Sequence, residues 1–204
     1  MKGRFIVFEG IDGSGKKTMC SHTEKLLTGK GLTIHRYEYP DYKSPWGAII
    51  HEFLHGKIEL DVGVQFLTYA TDIIKDQAHM KTHLEQGWVI SDRYITSTVA
   101  FQCAHGFPLE QAREFMKIFS FLKPDIIFFL KVNPETGKER KKAQKGNLDR
   151  HEAATGFLKE VNHMYHLLMD EGFLIRKWIE IDASRDLQQV TARITSEIEN
   201  IIRD

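Results

Sequence analysis

The sequence predicts an α/β fold, a five-stranded parallel sheet with helices on both faces, and three observations carry that prediction. Five short apolar runs are spaced along the chain with longer amphipathic stretches between them, the alternation that builds a sheet whose strands are buried on both faces. The first run breaks into a glycine-rich loop ending in a lysine and then a helix-compatible stretch. The third is followed by an acid and an arginine, Asp92-Arg93, placed where such sheets bind ligands, outside the carboxyl ends of the strands.

Taken in order, Phe5 to Phe8 is the first strand, and Gly10-Ile11-Asp12-Gly13-Ser14-Gly15-Lys16 follows it. Gly10, four residues, then Gly15-Lys16 is the spacing of a P-loop, in which backbone N–H groups and a helix N-terminus point at phosphate oxygens and the lysine reaches the outer phosphates. The next position is Lys17 where that motif has the Ser or Thr that ligates magnesium, and Thr18 comes one place late. Leu32 to Tyr37 is the second strand and Trp88 to Ile90 the third. Ile126 to Leu130 is the clearest buried strand, bounded by Lys123-Pro124-Asp125 and Asn133-Pro134, and Trp178 to Ile181 is the last.

The chain has 204 residues, 42% of them hydrophobic, and neither a repeat nor a low-complexity linker divides it. A single domain over residues 1–204 is expected. The formal net charge is zero, so the global field gives no sign of a nucleic-acid or membrane partner, while small anionic ligands remain open. Cys20 and Cys103 are the two cysteines; far apart and without metal-ligand spacing, they are expected to be buried thiols in a reducing compartment. The N-terminal apolar run is far short of a signal sequence or a membrane span, and a cytoplasmic location is expected.

Asp92-Arg93-Tyr94 pairs a carboxylate that can hold magnesium with a guanidinium that can grip phosphate oxygens. Alone it would be a surface ion pair more often than a site; after a buried strand in a chain with a phosphate loop it reads as functional. His51 and His55, four apart on a helix-like run, have the spacing of a metal pair but no third ligand nearby. Lys138, Lys141, Lys142 and Lys145 recur on one helical face with Arg140 beside it, ordinarily a solvated surface.

With Asp92-Arg93-Tyr94 come Ser97-Thr98 and Ala100-Phe101-Gln102, and together these residues resemble the signature of the thymidylate kinase family. Phe8-Glu9-Gly10-Ile11-Asp12-Gly13, Lys123-Pro124-Asp125, Pro134-Glu135 with Gly137, Gly146 with Leu148-Asp149-Arg150 and Glu152, and Ile181-Asp182-Ala183-Ser184 extend the resemblance in order over nearly the whole chain. It implies a P-loop NTPase fold with a short lid at about residues 135–150, ATP and Mg2+ as cofactors, dTMP as acceptor and, in general, a homodimer. Gly10, Ile11, Asp12, Gly13, Ser14, Gly15, Lys16, Lys17 and Thr18 would hold the ATP phosphates, with Asp92 and Thr18 toward the metal. Asp12 would also meet the acceptor's sugar and phosphate region, and Arg93 its phosphate. Ser97 belongs to the same acceptor-side segment, Thr98 and Gln102 would face the base, Phe101 would crowd a ribose 2′-hydroxyl, Tyr69 would stack on the base, and Pro40 keeps its place in Glu38-Tyr39-Pro40-Asp41-Tyr42. Family members lacking a P-loop arginine supply a cation from the lid; with Gly13 at that position, Arg140, Lys145 and Arg150 are the candidates.

The chain departs from the family at Lys17, at the segment around Pro40, which lacks the arginine some members carry, and at Ile73, where the family has an arginine that bonds the base. A hydrogen bond to a charged donor is worth about 1.5 to 3 kcal/mol, so its loss could weaken acceptor discrimination about ten- to a hundredfold. Asp72, Lys75 or His79 could approach the base instead. The rival readings are a kinase with a shifted or relaxed acceptor, such as dUMP, and a non-catalytic nucleotide-binding relative.

Overall fold

The computed structural model of the chain describes residues 3–145, 149–175 and 177–203, and the side chains of Lys145, Glu152 and Ala153 lie outside that description. Five strands, β1 (Phe5–Glu9), β2 (Ile34–Glu38), β3 (Trp88–Asp92), β4 (Ile126–Lys131) and β5 (Trp178–Asp182), form one sheet in the order β2-β3-β1-β4-β5. All four pairings are parallel. The α/β expectation is met.

All five strands end on a polar residue, Glu9, Glu38, Asp92, Lys131 and Asp182, one step beyond the last apolar residue or the serine that follows it. The ladder carries on through them because backbone bonding does not require an apolar side chain. β2 starts at Ile34 rather than Leu32; it is an edge strand, half-buried along most of its length. β1 lies between β3 and β4, with Phe8 level with both Asp92 and Phe128. The phosphate loop and Arg93 therefore leave the sheet side by side.

The helices are α1 (Lys16–Gly29), α2 (Pro45–Leu54), α3 (Val62–Ile74), α4 (Gln77–Gln86), α5 (Ile95–Ala104), α6 (Leu109–Ile118), α7 (Pro134–Lys145), α8 (Arg150–Ala153), α9 (Thr155–Asp170) and α10 (Leu187–Arg203). α10 buries Val190, Ile194, Ile198 and Ile201, one stripe at helical spacing. α9 buries Leu158, Val161, Tyr165 and Leu168. α5 differs: every residue from Ile95 to Gln102 is buried, so Thr96, Ser97, Thr98 and Gln102 must find partners in the interior or face a ligand. The helical stretch around 95–121 is interrupted at Gly106, which has φ 103°, followed by Phe107 and Pro108.

Cys20 is fully buried, but Cys103 is only half-buried, and both thiols are free. His51 and His55 stack ring on ring, 4.0 Å between centroids, and His55 Nδ1 lies 2.8 Å from the His51 carbonyl oxygen. That geometry does not converge on a metal. Among the described residues no helix is long and apolar enough to cross a membrane.

Candidate active site

The phosphate loop is wedged between β4 and α7 and open on its outer side. A Cβ on Gly10 would lie 2.5 Å from the Leu130 carbonyl oxygen, and one on Gly13 would lie 2.1 Å from that of Gly137. Both have positive φ, as does Gly15, whose missing Cβ faces open space where α1 begins. The Ser14 hydroxyl is buried without a hydrogen-bond partner, a donor left over for a ligand. Lys16, 7% exposed, turns its ammonium back onto the Gly10 and Ile11 carbonyls, each at 3.0 Å. Burial, with Arg93 adding, pushes its pKa down to about 8, against Asp12, Asp92 and Glu9. Lys17 is exposed, 3.7 Å from Glu38, and it and Thr18 line the phosphate-side pocket with Lys16 and Asp92.

Arg93 sits at the join between this pocket and the neighbouring cavity. Its backbone is left-handed, φ 69°, held by Arg93 N–H donating to Phe8 O at 2.9 Å and by the Ser91 hydroxyl donating to Arg93 O at 2.5 Å. The guanidinium donates to Gly10 O at 3.0 Å, Ser97 Oγ at 3.1 Å and Asp12 Oδ2 at 3.0 Å, and stacks 4.9 Å from the Phe101 ring centre. Burial works against the charge of Asp12, yet Arg93, Lys16 and Lys141 hold its carboxyl well below the usual range. Beneath lies Glu9, fully buried, which accepts from the Tyr94 and Ser97 amides at 3.0 and 3.2 Å, from the Thr96 and Ser97 hydroxyls, and from Tyr165 Oη at 3.0 Å. This carboxyl fixes the start of α5, and through Ser97 it fixes Arg93.

Asp92 is 6% exposed. Burial pushes its carboxyl up, against Lys16 and Arg93. With no side-chain hydrogen bond among the described residues, its carboxylate and the Thr18 hydroxyl are hard oxygen donors facing one pocket. No cluster of three or more His, Cys, Asp or Glu side chains that could cage a metal occurs among the described residues. This donor set fits magnesium, which usually binds through one or two carboxylates plus substrate phosphates.

The second cavity is lined by Pro40, Tyr69, Ile73, Arg93, Ser97, Thr98, Phe101 and Gln102, all but Ile73 expected as acceptor-side groups, together with Asp12, Asp72, Lys141 and His151. Gln102 is 1% exposed and both its amide oxygen and its amide nitrogen lack hydrogen-bond partners. A buried donor and acceptor left unpaired side by side, on a residue that lines the cavity, suit the edge of a base. Of the stand-ins for an arginine at 73, Asp72 accepts from Asp41 N at 2.8 Å and Ser44 Oγ at 2.6 Å. Lys75 is engaged by Asp72, Asp76 and Asp41, and His79 is exposed; neither lines the cavity.

The structure separates the three cations expected from the resemblance, Arg140, Lys145 and Arg150. Arg140 donates to Gly13 O at 3.4 Å and Ala183 O at 2.9 Å, tying the phosphate loop to the loop after β5. Arg150 forms a fork on Glu59 at 2.6 and 2.5 Å over the Phe53 ring, and it lines neither pocket. Lys145's side chain, Gly146, Asn147 and Leu148 lie outside the described residues. Lys141, 3.9 Å from Asp12 Oδ1, lines both pockets.

The thymidylate kinase family model matches residues 8–194. The chain belongs to the thymidylate kinase family. It is 36% identical over 200 residues to a probable thymidylate kinase of Methanocaldococcus jannaschii, covering 97% of this chain and 96% of that protein. A probable thymidylate kinase of Staphylothermus marinus is 33% identical over 192 residues, 92% of this chain and 90% of that protein. The thymidylate kinase of Danio rerio is 31% identical over 203 residues, 98% and 92% of the two chains.

In this family member the expected loop, Asp92-Arg93 and α5 residues meet around two adjoining pockets that share Asp12, Arg93 and Lys141. Glu9, Lys141 and His151 were not among the expected site residues. Lys141 had a partial signal as one of the cations Lys138, Lys141, Lys142 and Lys145 on a single helical face, and the structure selects it because it lies one turn after Gly137, which packs on the loop. Glu9 belonged to the Phe8-to-Gly13 segment of the resemblance without a role of its own, and His151 stands alone with no signal.

Proposed function

We propose that this thymidylate kinase family member transfers the γ-phosphoryl group of ATP to dTMP, giving dTDP and ADP, in dTTP synthesis. The observation that carries this reading is Arg93, anchored to the phosphate loop at Gly10 and Asp12 and forming a wall of the neighbouring cavity. ATP phosphates occupy the Gly10–Thr18 loop, with the Lys16 ammonium moving from the Gly10 and Ile11 carbonyls to the outer phosphates. The dTMP phosphate meets Arg93, and its base lies among Tyr69, Ile73, Thr98 and Gln102.

An oxygen of the dTMP phosphate attacks the γ-phosphorus, the bond from that phosphorus to the β,γ-bridging oxygen breaks, and ADP leaves with the electron pair. The acceptor phosphate is already ionised, so no strong base is required, and the protein's work is positioning and spreading charge over Lys16, Arg93 and Lys141. Asp92 and Thr18 would hold magnesium, which would neutralise phosphate charge.

The proposed unit is a single kinase domain over residues 1–204 with a lid at about 135–150, working in the cytoplasm as a homodimer. Dimerisation is supported by the exposed apolar side chains Val64 and Leu67 on α3 and Ile118 and Phe119 at the end of α6. Ile73, buried in the cavity wall, favours one second reading, a kinase that also takes dUMP.

The test is steady-state ADP release with ATP, magnesium and dTMP, with the product identified. Formation of dTDP that stops on chelation is expected. No transfer to dTMP overturns the function, and transfer that survives chelation overturns the metal assignment.

A further inference from the structure

Lys75 lies two residues after Ile73, just past the end of α3, and the reaction as described gives it no task. Its side chain is 15% exposed. The ammonium sits among three carboxylates, 2.7 Å from Asp76 Oδ2, 3.1 Å from Asp72 Oδ1 and 3.4 Å from Asp41 Oδ2. It also donates to the Asp72 carbonyl oxygen at 2.7 Å and stands 5.2 Å from the Tyr39 ring centre. Burial works against its charge, but Asp76 and Asp72 hold its pKa above that of an ordinary lysine. An isolated surface ion pair is worth little. One cation shared by three acids is different, because removing it leaves the acids facing one another.

The three acids come from separate segments. Asp72 is on α3, Asp76 precedes α4, and Asp41 follows Tyr39-Pro40 beyond the end of β2. Further hydrogen bonds run along the same seam. Tyr39 Oη donates to Asp76 Oδ2 at 3.0 Å, and Asp72 accepts from Asp41 N at 2.8 Å and from Ser44 Oγ at 2.6 Å. Ser44 Oγ in turn accepts from Gly47 N at 2.9 Å, at the start of α2. The strip from Tyr39 to Tyr42 is therefore moored to α3 and α4 from behind, while Tyr39, Pro40, Tyr42 and Ile73 present the cavity wall in front. Lys75 is the cation at the centre of the mooring.

We propose that Lys75 is a positioning residue for acceptor choice: by holding Asp41 against Asp72 and Asp76 it fixes the Tyr39–Tyr42 wall at a spacing that admits a pyrimidine base and excludes a purine. This rests on the dTMP reading. An apolar pocket separates ligands that differ by one methylene by about 10- to 200-fold, and only walls that do not yield can do so. Ile73 offers the base no hydrogen bond, which leaves more of the discrimination to shape.

The experiment measures the KM for dTMP and the inhibition constant of dGMP competing with it, in the wild type, Lys75→Met, Lys75→Arg and Asp41→Asn. Far-ultraviolet dichroism and urea unfolding check the fold. In Lys75→Met the ratio of the dGMP constant to the dTMP KM should fall by about tenfold, and Lys75→Arg should keep most of the wild-type ratio. Adding Asp41→Asn to Lys75→Met should recover part of the loss, since one of the repelling charges is gone. Lowered stability with an unchanged ratio would make Lys75 a structural residue only and overturns the proposal. Should Lys75→Met fail to fold, Asp41→Asn alone decides: a ratio lowered about threefold is expected, and an unaltered one overturns the role. A wild type that makes no dTDP from dTMP refutes the function itself, whereas an active enzyme whose ratio resists these substitutions refutes only the part given to Lys75.

Discussion

Lys16 holds its charge at a cost to the fold. Its folded pKa of about 8 lies below that of an unfolded lysine, so between about pH 8 and 10.5 the unfolded chain binds a proton that the folded chain lacks. Stability from this group therefore rises with pH across that window, and at pH 7 the buried ammonium costs on the order of 3 kcal/mol relative to its neutral form. Lys16→Met removes the group; its stability relative to wild type, from urea unfolding, should fall by about that amount between pH 7 and 10.5, while ATP binding is lost at both. A stability difference independent of pH would contradict the burial argument. At this scale Lys16, Asp12, Asp92 and Arg93 were legible because glycine spacing and strand ends mark them. The role of Glu9 was not, since its partners come from α5 and from Tyr165 on α9, and no local pattern announces such contacts.

Among the elements, α7 decides how the two pockets join. Its Gly137 backbone rests on the phosphate loop so closely that a Cβ there would lie 2.6 Å from the Asp12 carbonyl oxygen. The same contact explains Gly13, since a side chain at that position would run into Gly137. The cation that α7 places beside Asp12 is Lys141, and Arg150 lies elsewhere. Gly137→Ala should push α7 off the loop and raise the KM for ATP by at least about tenfold, with the far-ultraviolet dichroism unchanged; an unaltered KM would show the contact to be slack. The sequence showed a cationic helical face here but could not say which cation meets the site, because that depends on which face of α7 packs down.

Over the whole molecule, the order β2-β3-β1-β4-β5 brings together residues some 80 positions apart, as the contact from Arg93 to Gly10 illustrates (|i−j| 83). The five strands were legible as apolar runs, and their parallel arrangement followed from the helical patterns between them. The break between α5 and α6 falls at Gly106, Phe107 and Pro108, between Ala104 and Leu109. Val64, Leu67, Ile118 and Phe119 remain exposed on one molecule, and in the homodimer reading they are covered. Leu67→Glu should yield a monomer in sedimentation equilibrium, and an unchanged species would remove this face from the interface. The central claim is that these pockets select a thymidine monophosphate even with Ile73 in place of a base-reading arginine. Its most direct test is a single reaction of the protein with ATP, magnesium and equal concentrations of dTMP, dUMP, dCMP, dAMP and dGMP, with the diphosphates resolved over time. Predominant formation of dTDP is predicted, and predominance of any other diphosphate, or formation of none, would contradict the account.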